Sequence, residues 1–282
     1  MTAPPLPLDL GTLDGPVLIF GGPYSNLAAT QAMRRQAEDL AIPPERIVCT
    51  GDVVAYCAEP GETVALVRDW GIAVVQGNCE EALGQEAPDC GCGFAEGTAC
   101  SLLAIGWYRH ATERIAAAQR AWMRSLPNSV RFELNGHSVR VVHGGVEQIN
   151  RFIFPSTPEE EKRGELDRAG TDLLVGGHSG IPCAQAIGGR AWLNAGAIGL
   201  PANDGTPDGW YLLLLPEGER LRCSLRRLNY DPAPSAAGMR AAELCGGYQE
   251  TLESGLWPSL DALPAAERAR RGVPIVIDDL IV

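Results

Sequence analysis

Val17-Leu18-Ile19-Phe20 is a continuous apolar run that ends in Gly21-Gly22-Pro23 and leads into a helical pattern over 26–40. The unit returns as an apolar run over 46–50, a loop at Gly51-Asp52 and a helical segment over 60–70; its strand and loop return again over 72–76 and at Gly77-Asn78. Such runs, alternating with helices, imply a largely parallel sheet buried at the centre of the molecule. In sheets of this kind ligands bind beyond the carboxyl ends of the strands. Chemistry is therefore expected in the loops after residues 20, 50 and 76.

A Gly- and Cys-rich loop is expected over 86–97 and helix over 98–125, with Trp107, Tyr108 and Trp122 as packing residues. Strands over 130–134 and 139–142 are joined by Asn135-Gly136, a hairpin signal, and the second ends in His143-Gly144-Gly145. A charged helix over 158–168 precedes a strand over 172–176 and the turn Gly177-His178-Ser179-Gly180. Short strands follow over 184–194, 210–215 and 221–228, and the pattern is helical again from about 235. The expected organisation is a poorly ordered arm over 1–16, carrying Pro4, Pro5, Pro7 and Pro16, a main domain over 17–230, and a helical appendage over 231–282 packed on the core.

At 282 residues, with 45% hydrophobic and 21% charged residues, the chain can bury a full core and is not a disordered one. No apolar run approaches the roughly 20 residues of a membrane span. No lysine or arginine precedes Arg34, so a secretory signal is not expected and the cytoplasm is the expected location. A net charge of −12 repels nucleic-acid backbones and anionic membranes, which leaves a small phosphorylated substrate or ligand as the expected partner. Lys162 is the only lysine, in the run Glu159-Glu160-Glu161-Lys162-Arg163, where it reads as a solvated helix-surface residue; P-loop and Schiff-base chemistry are thereby disfavoured. Nine cysteines scattered through a chain of this size argue against a disulfide framework, and most are expected to be reduced.

Asp52, Asn78, His143 and His178 each follow an apolar strand. A carboxylate, an amide oxygen and two imidazoles form a mixed oxygen and nitrogen set suited to a divalent transition metal such as Mn, Zn, Fe or Ni. Singly, each also reads as a turn, cap or core residue. In order, Gly51-Asp52-Val53-Val54-Ala55-Tyr56, Gly77-Asn78, Val142-His143-Gly144 and Gly176-Gly177-His178 resemble the calcineurin-like metallophosphoesterase superfamily. The segment Leu193-Asn194-Ala195-Gly196-Ala197-Ile198-Gly199-Leu200-Pro201 is similar to that family's Asn-Pro-Gly-Ser-x-Gly-x-Pro stretch.

The resemblance implies an α/β fold of two mixed β-sheets packed as a sandwich flanked by helices, and a metal site that activates water for phosphoester hydrolysis. It places Asp52 at the position bridging two metals and makes Asn78, His143 and His178 the rest of the second site. Asp52, Asn78, His143 and Cys79 are the implied catalytic set, Cys79 standing where many members carry a leaving-group histidine. The family's first loop reads Asp-x-His-Gly-Asn, but here Gly22 and Tyr24 hold the Asp and His positions, and Gly180 stands for the last histidine of Gly-His-x-His. All three departures fall on the first metal. A phosphoesterase with one retained metal site and an impaired member acting as a ligand- or metal-binding regulator are the two functional expectations.

Several residues have alternatives open. Cys57 and Cys79 offer thiolates to replace missing ligands. Cys90-Gly91-Cys92, with Cys100, reads as a zinc site, a redox pair or a tight loop of half-buried thiols. Asn150 and Arg151 are placed to reach a phosphate, or Arg151 lies on the surface beside Phe152 and Phe154. His110 and His137 read as surface residues, and Trp257 as the anchor of a packed corner without chemistry.

Overall fold

The computed structural model describes residues 6–93, 97–244 and 246–282. Strand β2 (Val17–Phe20) is buried on both faces, and its alternation divides the core. Val17 and Ile19 face a second sheet, while Leu18 and Phe20 face helices. β3 (Ile47–Cys49) and β4 (Ala73–Val74) continue this sheet in parallel register, Leu18 opposite Ile47 and Val48 opposite Ala73. On its other side β10 (Gly209–Glu217) pairs antiparallel with β2, followed by β11 (Arg220–Leu228) and β12 (Leu280–Ile281). The order is β12-β11-β10-β2-β3-β4.

The second sheet runs β1-β5-β6-β7-β9-β8. It contains β1 (Leu8–Leu13), the hairpin β5 (Ser129–Leu134) and β6 (His137–Val142), β7 (Leu173–Gly176), β8 (Cys183–Ile187) and β9 (Arg190–Asn194). β6, β7 and β9 are parallel to one another. Val139, Val141, Leu173, Val175 and Leu193 meet Val17, Ile19 and Val48 between the sheets. The expected sandwich of two mixed sheets is thus the fold of the chain. Helices α1 (Leu27–Asp39), α2 (Pro60–Trp70), α3 (Asn78–Gln85), α4 (Ala99–Arg114) and α5 (Ala117–Ser125) are the helices of the first half, and Met33, Val64, Leu83, Trp107 and Met123 join Leu18 and Phe20 in one cluster. Helix α6 (Glu159–Ala169) covers the opposite sheet through Leu166, against Leu174 and Trp192.

Several expectations are corrected. Residues 8–13 of the expected arm form strand β1, parallel to β5 with a register shift between Asp9 and Thr12. Pro7 and Pro16 lie outside the paired stretch, so neither removes a ladder donor; residues 1–5, Pro4 and Pro5 among them, lie outside the described residues. The appendage contains α7 (Ala233–Ala241), α8 (Tyr248–Ser254) and α9 (Ala265–Ala269), but it ends extended, with β12 closing the edge of the first sheet. Lys162 is fully buried, not solvated: its Nζ donates to the Pro155 carbonyl (2.7 Å) and to Gln185 Oε1 (2.8 Å), which compensates its desolvation. His110 is buried as well, its Nε2 2.9 Å from the Ala58 carbonyl. Asn78 opens helix α3 where only a loop was expected, and the span 98–125 breaks into two helices at Ile115-Ala116.

Candidate metal centre

The loops after β3 and β4 approach more closely than side chains allow. A Cβ on Gly51, at φ +100°, would lie 2.7 Å from the Gly77 nitrogen, and one on Gly77 would lie 2.4 Å from Asp52 Oδ1. Glycine at both positions lets the backbones touch. Asp52 itself has φ +53°, a left-handed conformation that costs a non-glycine residue about 1–3 kcal/mol. Glu80 holds it there: its carboxylate accepts from the backbone nitrogens of Asp52 (2.7 Å), Gly77 (3.0 Å) and Val54 (3.2 Å). Glu80 is the third residue of α3, so its bond to Gly77 is the return half of a capping box. Sequence reasoning missed this residue, although glutamate three positions after a helix-starting glycine is its signal.

His143, at the end of β6, is the hub. Its Nδ1 lies 2.8 Å from the Thr50 carbonyl, which can only accept, so the proton belongs on Nδ1 and Nε2 presents a lone pair in the metal-binding tautomer. Around Nε2 stand Asn78 Oδ1 at 3.0 Å, His178 Nδ1 at 3.0 Å and Asp52 Oδ2 at 3.4 Å. Asn78 is oriented by Nδ2 donating to the Cys90 carbonyl (2.9 Å), which turns its Oδ1 inward. Asp52 Oδ1 accepts from the Cys79 nitrogen (3.3 Å), which turns Oδ2 inward. All four expected ligands are buried and brought together. Converging lone pairs with too few protons between them fit a divalent cation, which Asp52, Asn78, His143 and His178 would hold.

The protonation states suit that role. Burial alone would raise the Asp52 carboxyl, but His143 and His178 outweigh it and hold Asp52 below the usual carboxylate range. His178 is pushed down to about 3, by burial first and by His143 second, so it is neutral. Burial would lower His143, but the Asp52 carboxylate overcomes it and raises His143 above its ordinary value in the metal-free chain. Because a metal must displace that proton, metal affinity is expected to fall by up to about tenfold per pH unit as pH drops below the raised His143 pKa. The metal-free fold behaves oppositely: the His143–Asp52 interaction stabilises it fully below the unfolded histidine pKa and is lost as pH rises through the folded one. Metal titration and metal-free unfolding should give opposite slopes above about pH 6.5, where His178 is neutral whether the chain is folded or unfolded and His143 alone sets the sign.

Tyr24 fills the space between Gly22 and Gly180, where the resemblance implies a first metal. Tyr24, at φ +52°, lays its ring over Gly22, where a Cβ would meet ring carbons at 2.4 and 2.5 Å. The space above Gly180 also faces Tyr24, with Oη 3.6 Å from where a Cβ would stand. Its loop is bound to the Asp52 loop: Gly22, Tyr24 and Ser25 nitrogens donate to the carbonyls of Gly51, Asp52 and Val53 at 2.9–3.1 Å.

The cysteines do not replace the missing ligands. Among the described residues, the one His, Cys, Asp or Glu group able to hold a metal is Asp52, His143 and His178. The Cys57 thiol faces the Gly199 carbonyl at 4.0 Å. Burial, then the Asp52 charge, pushes the Cys79 thiol well above its usual range. Cys90 and Cys92 form a disulfide, which removes them as zinc ligands. Cys49, Cys57, Cys79, Cys100, Cys183 and Cys223 are free and buried; residue 245 and the 94–96 part of the Gly- and Cys-rich loop lie outside the described residues. Arg151 pairs with Glu165 (2.5 Å) and Glu161 (2.8 Å), and Asn150 donates to the Gly91 carbonyl (2.9 Å), so both are committed to scaffold contacts.

A cavity of about 60 Å³ lies beside His178. Tyr24, Tyr56, Tyr248, Phe152 and Trp257 are among its walls, with Phe152 tilted over the His178 ring at 4.3 Å. Trp257 therefore belongs to the site, held by its nitrogen donating to Asn203 Oδ1 (2.8 Å) and its Nε1 to the Pro201 carbonyl (2.7 Å). Sequence alone gives no signal for these walls, which come from remote segments.

Residues 24–216 match the calcineurin-like phosphoesterase superfamily domain. An uncharacterized protein of Methanocaldococcus jannaschii is 28% identical over 186 residues, covering 64% of this chain and 69% of its own. A hypothetical protein of Pyrococcus horikoshii superposes with a TM-score of 0.72 at 16% identity, over 85% of this chain and 98% of its own. A metallophosphoesterase of Sphaerobacter thermophilus superposes with a TM-score of 0.66 at 24% identity, over 86% of this chain and all (100%) of its own. The two superpositions bear on the fold.

Proposed function

The chain belongs to the calcineurin-like phosphoesterase superfamily, and from that premise we propose that it hydrolyses a small phosphoester by means of one divalent metal ion held by Asp52, Asn78, His143 and His178. The observation that carries this reading is the convergence of Asn78 Oδ1, His178 Nδ1 and Asp52 Oδ2 on His143 Nε2 within 3.4 Å. When bound, the ion supplies Lewis acidity and lowers the pKa of water in reach of a phosphorus centre.

The protein's own groups prepare the rest. Thr50 fixes the His143 tautomer, the Cys90 carbonyl turns Asn78 inward, and Glu80 holds the strained Asp52 backbone. Pre-set donors avoid reorganisation during reaction, which is where such sites gain most of their rate. Phe152, Trp257 and Tyr248 exclude bulk water, which strengthens every charge interaction at the centre. Cys79 keeps its proton at neutral pH, but a thiol so far above neutrality assists a leaving group only weakly. The substrate is a small soluble molecule, as the anionic chain disfavours nucleic acid and anionic membranes. No helix of the described residues is long and apolar enough to cross a membrane.

The filled first-metal position favours one competing reading, a regulator that binds a ligand without hydrolysing it. Elemental analysis after Mn addition, paired with aryl-phosphate mono- and diester assays, separates the two. The expected result is about one metal per chain and metal-dependent turnover. One bound metal with no turnover on either ester under any of Mn, Zn, Fe or Ni would establish the regulator instead.

A further inference from the structure

Tyr24 stands between Gly22 and Gly180 and is only 6% exposed, yet no hydrogen bond ties its Oη to another of the described residues, and it lines the cavity instead. A buried hydroxyl ordinarily finds a partner. Tyr24 lines the cavity beside the metal centre, and so does His178, whose Nε2 is buried and has no hydrogen-bond partner. Tyr56 and Tyr248 add two further phenols to the same walls. Unpaired polar groups on a cavity of about 60 Å³ next to four metal ligands make a site for a small ligand rich in acceptor oxygens.

The charges around the cavity narrow the ligand class. No lysine or arginine is among the described residues that line it. One divalent ion beside the Asp52 carboxylate leaves a single net positive charge, and Glu80, behind Asp52, can only subtract from it. A phosphodiester monoanion comes closer to balancing such a site, whereas a phosphomonoester dianion leaves a larger unbalanced buried charge. The walls also suit an ester carbon, being Phe152, Phe154, Leu200 and Trp257.

We infer that Tyr24 has replaced the first metal as a neutral donor to a non-bridging phosphoryl oxygen, and that the site thereby takes phosphodiester monoanions in preference to monoester dianions. The inference rests on the one-metal reading above. Its test is binding to the Mn-loaded protein at pH 8, by calorimetry, of dimethyl phosphate and of methyl phosphate, with metal per chain counted in parallel. Dimethyl phosphate is expected to bind about tenfold more tightly than methyl phosphate. Tyr24→Phe, which keeps the edge-on contact with Tyr56 (centroids 4.9 Å), should lose about tenfold for dimethyl phosphate with the metal count unchanged.

Equal binding of dimethyl phosphate by Tyr24→Phe, tighter binding of methyl phosphate, failure of the loaded protein to bind either anion, or two metals per chain would each overturn the inference. Should Tyr24→Phe not fold, the two anions and the metal count on the unaltered protein still decide it. Tyr24-dependent binding without turnover would remove the hydrolase reading and leave this one standing. Turnover indifferent to Tyr24 would do the reverse.

Discussion

Asp52→Ala is expected to abolish metal retention and to cut kcat/KM for any ester the protein hydrolyses by about a thousandfold or more, the several kcal/mol that a bound Lewis acid supplies. Asp52 is the one anionic member of the ligand set, and without it a divalent ion would face two imidazoles and an amide in a buried site. Asp52→Asn separates charge from shape, because an amide oxygen can still accept from the Cys79 nitrogen. It should fold like the unaltered chain and still lose metal. Elemental analysis and steady-state kinetics on both variants check this; full metal retention by either would mean that Asp52 is not a ligand.

The second large effect is on stability and falls on a residue outside the ligand set. Glu80→Ala leaves the backbone nitrogens of Asp52, Gly77 and Val54 without their acceptor in a region closed to water. At about 1–3 kcal/mol for each orphaned donor, the loss is roughly 3–9 kcal/mol. With about 2 °C per kcal/mol for a chain of this size, the melting midpoint should fall by roughly 5–20 °C. Glu80→Gln keeps one acceptor oxygen and should lose markedly less. Thermal unfolding followed by circular dichroism distinguishes the two, and a Glu80→Ala midpoint within about 2 °C of the parent would deny Glu80 its scaffolding role.

How much of this was legible depends on whether the signal is local. The strands over 17–20 and 47–49 are readable because a parallel strand at the centre of a sheet is apolar on both faces, so its run is continuous. Asp52, Asn78, His143 and His178 are readable because each directly follows such a run, and strand ends are where a sheet gathers side chains. Strand β1 is obscured because an exposed edge strand, Leu8-Asp9-Leu10-Gly11-Thr12-Leu13, need not be apolar and its flanks are prolines. Helix α3 is obscured because Asn78, Cys79 and Gly84 are poor helix formers, and its start is fixed by Glu80 instead. Lys162 misleads because its neighbours are charged, while its own partners, Pro155 and Gln185, lie elsewhere in the chain. Tyr24 is visible in sequence as the loss of a ligand, but its ring filling that ligand's place requires the loops in three dimensions.

The metal ligands all fall between residues 52 and 178, whereas Tyr248, Trp257, Pro258 and Ser259 of the cavity wall come from the last stretch of the chain. Trp257 is tied to the main body by bonds to Asn203 and Pro201, outside the ligand set. Part of the cavity wall is thus written in a passage of the sequence separate from the one that writes the ligands. A change in that closing passage would reshape the wall while every ligand stayed in place, and a catalogue of ligand motifs would register no change.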